Sequence, residues 1–335
     1  MNSDRPPGPV LPRRAHSEVL TLAAPAIPIA SGDLVGGRYR IHELYGAGPL
    51  GFTFRAQDRD ERWMAVKVLH PALVPTERER IAALTELEKL SQHTLRKTSL
   101  PRDAGTQGKF AYVVSAWVPG RSLRRVLGAY RDADIQLAPG DVYGLLAGVS
   151  EALQELHTVC IHGAVYPENI QVSLEGQVHL TDAAVVASLA RSRWLEQLEY
   201  FPDVQPYMSR EIEDSRPMTA SADLWSVGVL ASELLTGHPA SLREGIAPAM
   251  LHGWPDEVAM ALADLVGATI SKRAAALPAL LNTLQNATGN RTLPRAGSLP
   301  TQRARTELVQ GHVVAPNEAR SPGASLLAQR LRKPE

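Results

Sequence analysis

Residues 161–172 read IHGAVYPENIQV. A histidine, a glutamate and an asparagine stand among apolar neighbours, and Ala164 sits in the middle of the run. Upstream, DVYGLLAGVSEALQELH (141–157) carries apolar residues at helical spacing and reads as a long amphipathic helix. Downstream, LTDAAV (180–185) holds a lone aspartate, a pattern that by itself fits a turn as well as a ligand.

The wider chain divides by texture. RYRIHELYG (38–46), FTFRAQD (52–58) and RWMAVKVL (62–69) read as strands of a meander, separated by a glycine-rich turn. Residues 77–95 place Ile81, Leu84, Leu87, Leu90 and Leu95 at helical spacing, and FAYVVSAWV (110–118) returns to strand character. After Pro119 and Gly120 the pattern turns helical, with ADLWSVGVLASELLTG (222–237) and DEVAMALADLVGATI (256–270) each expected as a helix. A small sheet domain followed by a larger helical one is an α+β, bilobal arrangement.

GAGPLGF (46–52) sets Gly46, Gly48 and Gly51 in a G-x-G-x-x-G spacing. Such glycines let backbone approach phosphate oxygens, although the same spacing also occurs in an ordinary glycine-rich turn. A strand, not a helix, follows the third glycine, which argues against a dinucleotide-binding fold. No G-x-x-x-x-G-K-S/T motif occurs, which excludes a P-loop. Lys67 lies in the apolar strand MAVKV (64–68), and alone it reads equally well as an edge-strand charge.

Together with a helix carrying Glu86 and Glu88, and a hinge-like strand ending in glycine, these features resemble the eukaryotic-like, Hanks-type Ser/Thr protein kinase family. The style is that of its bacterial members, and the resemblance runs to about residue 285. It implies a protein-kinase fold with the domain at 34–286, an N-lobe at 34–118 and a C-lobe at 119–286. Lys67 then matches the lysine that holds the nucleotide's α- and β-phosphates, with Glu86 as its helix partner and Glu88 as the alternative. YVVSAWVPGRSL (112–123) matches the hinge, with Ser115 a small gatekeeper and the backbone from Ala116 to Val118 facing adenine. Asn169 and Asp182 match the magnesium ligands. Glu211, in YMSRE (207–211), is expected to pair with Arg273, and Asp223, in SADLWSVGVL (221–230), to hold the backbone of the 161–172 loop.

The departures from the family are as informative. IHGAVYPENI aligns with H-R-D-L-K-P-E-N, which puts Ala164 where an aspartate accepts the substrate hydroxyl's proton and Tyr166 where a lysine steadies the phosphoryl group. Gly163 replaces the arginine that reads a phosphorylated activation segment. DAA (182–184) replaces D-F-G, removing the aromatic plug at Ala183 and glycine's freedom at Ala184. Glu168 is close in sequence but matches a residue that faces the substrate peptide. Gln171 stands where an apolar residue lies under adenine, and Thr53 where a valine lies above it.

The resemblance therefore implies a protein-kinase-like signalling module, a pseudokinase that binds ATP and Mg and works through other proteins, such as an active kinase or its substrate. Two alternatives stay open: a slow or atypical Ser/Thr kinase, and a scaffold that binds no nucleotide.

Bulk properties fit this picture. The 335 residues carry 35 basic and 35 acidic side chains, which gives no overall attraction to nucleic acid or to an anionic membrane. Cys160 is the single cysteine, so a disulfide framework and a multi-cysteine zinc site are both excluded and a cytoplasmic location is expected. No apolar run approaches the roughly 20 residues that span a bilayer. LTLAAPAIPIA (20–30) is broken by Pro25 and Pro28, unlike a signal sequence. Residues 1–33 read as a disordered leader rich in Pro, Ala and Ser. Residues 287–335 read as a basic, mostly disordered tail, with eight Arg/Lys against three Glu.

Overall fold

The computed structural model describes residues 29–133, 136–213, 217–240, 251, 254–267 and 269–287. The expectations for residues 1–28 and for the basic tail from 288 onward lie outside the described residues. Ile29–Asp33, which the sequence assigns to the leader, belong to the fold. Ile29 is buried, Ala30 N–H donates to Asp33 Oδ2, and Gly32 N–H donates to Ile41 O at 2.8 Å.

The N-terminal lobe is built on β1 (Leu34–Val35), β2 (Tyr39–Gly48), β3 (Gly51–Gln57), β4 (Trp63–Leu69), β5 (Pro101–Gln107) and β6 (Phe110–Ala116). They form one antiparallel sheet in the order β1-β2-β3-β4-β6-β5. Along β4, Met64, Val66 and Val68 are buried on one face, while Ala65 and Lys67 alternate onto the other. The β2–β3 hairpin turns through Pro49 and Leu50. Gly51 is obligatory there: its φ is 127°, and a Cβ would stand 2.1 Å from the Val68 carbonyl oxygen.

A single α-helix, α1 (Glu77–Glu88), follows β4 among the described residues. Thr76 and Glu79 close its N-terminus as a capping box, a device worth about 1 kcal/mol. It stops short of the expected 77–95, tightening into a 3₁₀ turn at Lys89–Gln92 and leaving Leu95 outside. Its inward residues are Ala83 and Leu87, one turn apart, whereas Ile81 is 56% exposed.

The C-terminal lobe contains α2 (Leu123–Asp132), α3 (Pro139–Leu156), short helices α4 (Val185–Ser188), α5 (Arg191–Leu198) and α6 (Arg210–Glu213), then α7 (Ala220–Thr236), α8 (Asp256–Leu265) and α9 (Ile270–Ala287). A small sheet, β7 (Arg121–Ser122), β8 (Ile170–Val172) and β9 (Val178–Leu180), carries the loops of interest. α3 buries Val142, Leu145, Leu146, Val149, Leu153 and Leu156 along one stripe, as its spacing predicts. α7 is buried nearly all round, and Gly228 lets α8 approach so closely that a Cβ would meet Leu265 Cβ at 2.7 Å. The stretch 256–270, expected as one helix, is two. α8 ends at Leu265 and α9 begins at Ile270, with Gly267, a poor helix former, in the break.

Candidate active site in the interlobe cleft

Between the two sheets, Lys67 Nζ meets Asp182 Oδ2 at 2.6 Å, with the two side chains 12% and 16% exposed. Thr53, Ala65, Ser99, Pro101, Val113, Ser115 and Val185 line this deep end of the cleft, which leaves free space for little more than a water molecule. Small-molecule sites usually take about 300–1,000 Å³, so a nucleotide-sized ligand also needs the outer part of the cleft. Asp182 and Ala184 both adopt left-handed backbone, at φ 60° and 63°, on either side of fully buried Ala183. The DAA segment is therefore a kinked one, and it turns the aspartate toward Lys67.

Glu86 is not the partner of Lys67 here. It is exposed and pairs with Lys89, just past the end of α1, at 2.5 Å. Glu88 is also exposed. The reason is the helix's rotation: Ala83 and Leu87 take the face against the sheet, so a residue one position from Leu87 points about 100° away. A further carboxylate of α1, Glu79, serves the capping box and meets Arg193 of α5 at 3.4 Å.

The loop after α3 is held from below. Asp223 of α7 accepts His162 N–H and Gly163 N–H, each at 2.8 Å, and contacts His157 Nε2 at 2.9 Å. Ala164 is fully buried; its N–H donates to His162 Nδ1 at 3.2 Å and its carbonyl accepts from Asn169 Nδ2 at 3.1 Å. The loop thus keeps a defined shape with a methyl group at its centre. Tyr166 is buried beside Tyr207, with ring centroids 6.4 Å apart. Burial pushes its phenol well above the usual value, and the negative charges of Asp182 and Glu168 add to the shift. Burial likewise lowers the His162 imidazole below its ordinary range.

Glu168 is already engaged. Arg124 of α2 donates to it at 3.0 Å and to Glu233 of α7 at 2.6 Å, and Glu233 also accepts from the Tyr207 hydroxyl. Burial opposes the guanidinium's charge, but Glu168 and Glu233 overcome that and raise its pKa. The expected Glu211–Arg273 pair is present as a two-pronged contact, buried at both ends.

The glycine-rich hairpin lies down on its own sheet. Gly46 pairs with Thr53 and Gly48 with Gly51, while buried Leu50 at the tip accepts from His70 N–H at 3.0 Å. In the crossing segment, the Ala116 carbonyl accepts from Ser99 Oγ at 2.8 Å and Trp117 N–H donates to Trp63 O, while Val118 is half-buried. Lys67 and Asp182 thus meet in the inner cleft, whereas Asn169 is buried outside its lining, its amide turned onto the Ala164 carbonyl. Gly46 and Gly48 lie on the roof of the cleft, in the strand neighbouring the one that carries Thr53.

Sequence reading missed one feature of this site. Tyr45 of β2 donates to Gln171 of β8 at 3.3 Å, across the cleft. Gln171 stands out as polar in an apolar run, which is the only local signal of such a partner.

The fold and the cleft define a protein kinase domain, and the chain belongs to that family, whose pattern matches residues 39–262. More narrowly, its relatives are bacterial serine/threonine-protein kinases. It is 27% identical over 236 residues to the serine/threonine-protein kinase AfsK of Streptomyces coelicolor, covering 66% of this chain and 28% of that one. It is 26% identical over 235 residues to the probable serine/threonine-protein kinase PknB of Lactococcus lactis, covering 67% of this chain and 36% of that one. The chain thus spans about a third or less of the length of these relatives. Among solved structures it is similar to the Mycobacterium tuberculosis PknI kinase domain, with a TM-score of 0.63 at 18% identity, over 77% of this chain and 99% of that domain. Among the described residues no helix is long and apolar enough to cross a membrane.

Proposed function

We propose that the chain is a protein-kinase-like signalling module with impaired phosphotransfer, which binds ATP with magnesium and acts through protein partners such as an active kinase or its substrate. The observation that carries this reading is Ala164, fully buried at the centre of the loop where a proton-accepting carboxylate is needed. The neighbouring carboxylates are committed elsewhere, Glu168 to Arg124 and Asp182 to Lys67. A general base is worth roughly 10²–10⁴ in rate. Loss of the loop lysine, replaced by buried Tyr166, removes a positive charge from the transferring phosphoryl group as well.

Nucleotide binding is supported by what remains. Lys67 supplies an ammonium for phosphate oxygens, while the Asp182 carboxylate and the Asn169 amide supply oxygen ligands. No group of three or more His, Cys, Asp or Glu able to hold a metal occurs among the described residues. Magnesium suits such a site, because it takes one or two protein ligands and completes its shell with phosphates and water. When bound, it would neutralise phosphate charge; Lys67 and Asp182 must then exchange their mutual contact for contacts to the ligand.

The same retained trio favours a second reading, a slow or atypical Ser/Thr kinase. Transfer of labelled γ-phosphate from ATP separates the two. Under the first reading the natural chain gives none above background, and the double variant Ala164→Asp/Tyr166→Lys gains it. Transfer by the natural chain that disappears in Asp182→Asn establishes the second. A thermal scan with ATP and magnesium tests binding itself: ligand at a hundred times its Kd stabilises by about 2.7 kcal/mol. A domain of this size then melts roughly 5–10 °C higher, and Lys67→Ala abolishes the shift. No shift would leave a scaffold that binds no nucleotide.

A further inference from the structure

Tyr45 lies one residue before Gly46, and its hydroxyl donates to Gln171 Oε1 at 3.3 Å. β2 belongs to the six-stranded sheet and β8 to the three-stranded one, so this bond joins the roof of the cleft to its floor. Further contacts hold the tyrosine there. Arg125 of α2 donates to the Tyr45 carbonyl at 2.8 Å, and its guanidinium stands 4.7 Å from the centre of the ring. Trp117, in the crossing segment between the lobes, meets the ring edge-on at 4.7 Å.

Gln171 is 6% exposed. A primary amide buried to this degree needs a partner, and Tyr45 is one. The glycine-rich hairpin is therefore tied to the C-terminal lobe by side chains from β8, α2 and the crossing segment.

We propose that Tyr45, Gln171 and Arg125 form a latch across the outer cleft, which a nucleotide must break in order to enter. This rests on the reading of the cleft as a nucleotide site. Gly46 pairs with Thr53 and Thr53 with Lys67, so the strand that carries Tyr45 also roofs the inner cleft. A base lying beneath Thr53 and above β8 competes with the Tyr45–Gln171 bond for the same gap. The inner end, lined by Lys67 and Asp182, is too small for a whole nucleotide, so the outer end has to open. A ligand that binds only the open form loses affinity in proportion to the fraction that is open. The hydroxyl's hydrogen bond to a buried amide sets its part of that loss at about tenfold.

The test uses the full chain and Tyr45→Phe, which keeps the ring and removes the hydroxyl, with Arg125→Ala as the second variant. Amide hydrogen exchange is followed across residues 45–51 without ligand, and a fluorescent ATP analogue with magnesium is titrated into each protein. The latch predicts faster exchange in both variants and about tenfold tighter binding of the analogue by Tyr45→Phe. Unchanged exchange with unchanged affinity overturns the latch and leaves the nucleotide reading intact. Weaker binding by Tyr45→Phe also overturns it, since the hydroxyl would then be serving the ligand. Faster exchange with no binding by any of the three proteins overturns the nucleotide reading, and with it the role of the contact as a gate.

Discussion

The Asp223 carboxylate, 1% exposed within α7, lies 2.8 Å from the His162 backbone nitrogen and equally close to that of Gly163. A buried charge in an apolar helix is tolerable only when it is satisfied in this way. Asp223→Ala leaves two buried N–H groups without an acceptor, each costing roughly 1–3 kcal/mol. The expected loss is about 3–5 kcal/mol in urea unfolding, and Asp223→Asn, which keeps one acceptor oxygen, should lose about half as much.

Arg273 joins Glu211 with both side chains at least 94% buried, and it also donates to the carbonyls of Ser221 and Gly267. Removing one partner strands the other charge, so Arg273→Met should cost about 3–5 kcal/mol. The double variant Glu211→Leu/Arg273→Met should cost less than the sum of the single changes. A double-mutant cycle by chemical denaturation reads this directly.

Ala184 holds a φ of 63°, a region in which a Cβ is strained. Ala184→Gly should therefore stabilise the domain by about 1 kcal/mol, raising Tm by about 2–4 °C in calorimetry. Glycine's greater freedom in the unfolded chain works against this gain, so a fall in Tm would mean that the strain at this position is small.

His162 is fully buried, and burial lowers its pKa from 6.5, opposed in part by Asp223 and Asp182. Between that lowered value and 6.5 the unfolded chain holds a proton that the folded chain does not. Stability should then fall as the pH drops below 6.5, by up to about 1.4 kcal/mol per pH unit from this group. His70, also lowered by burial, acts in the same direction. Urea midpoints at pH 7.5, 6.5 and 5.5 check the slope, which His162→Asn should flatten.

Residues whose burial leaves few physical solutions were the ones the sequence made legible. An aspartate in an apolar helix needs specific partners, and the Asp223 contacts follow from that need, whereas the Glu211–Arg273 pair was legible through the family resemblance. The strand β5, PRDAGTQ, shows no apolar alternation because it is an edge strand, where Asp103 serves Arg38 and Tyr39 instead of a core. The family pattern sets Glu86 opposite Lys67, but the residues that α1 turns to the sheet do not follow the size of its apolar side chains. Small Ala83 is buried there and large Ile81 is not. The Tyr45–Gln171 contact joins residues 126 apart in the chain, and although a glutamine in an apolar run calls for a partner, nothing local says which residue supplies it.

The methyl group of Ala164 has no solvent around it, and Tyr166, two residues on, is buried as well. An aspartate introduced at 164 alone would enter a dry pocket, hold its proton and donate where it ought to accept. A lysine at 166 would bring an ammonium into a buried site whose charged neighbours are the carboxylates of Asp182 and Glu168. The aspartate at 164 is penalised as a single change, so that position by itself does not restore the chemistry. On the reading proposed above, the domain is kept in its present role by the route it would have to retrace.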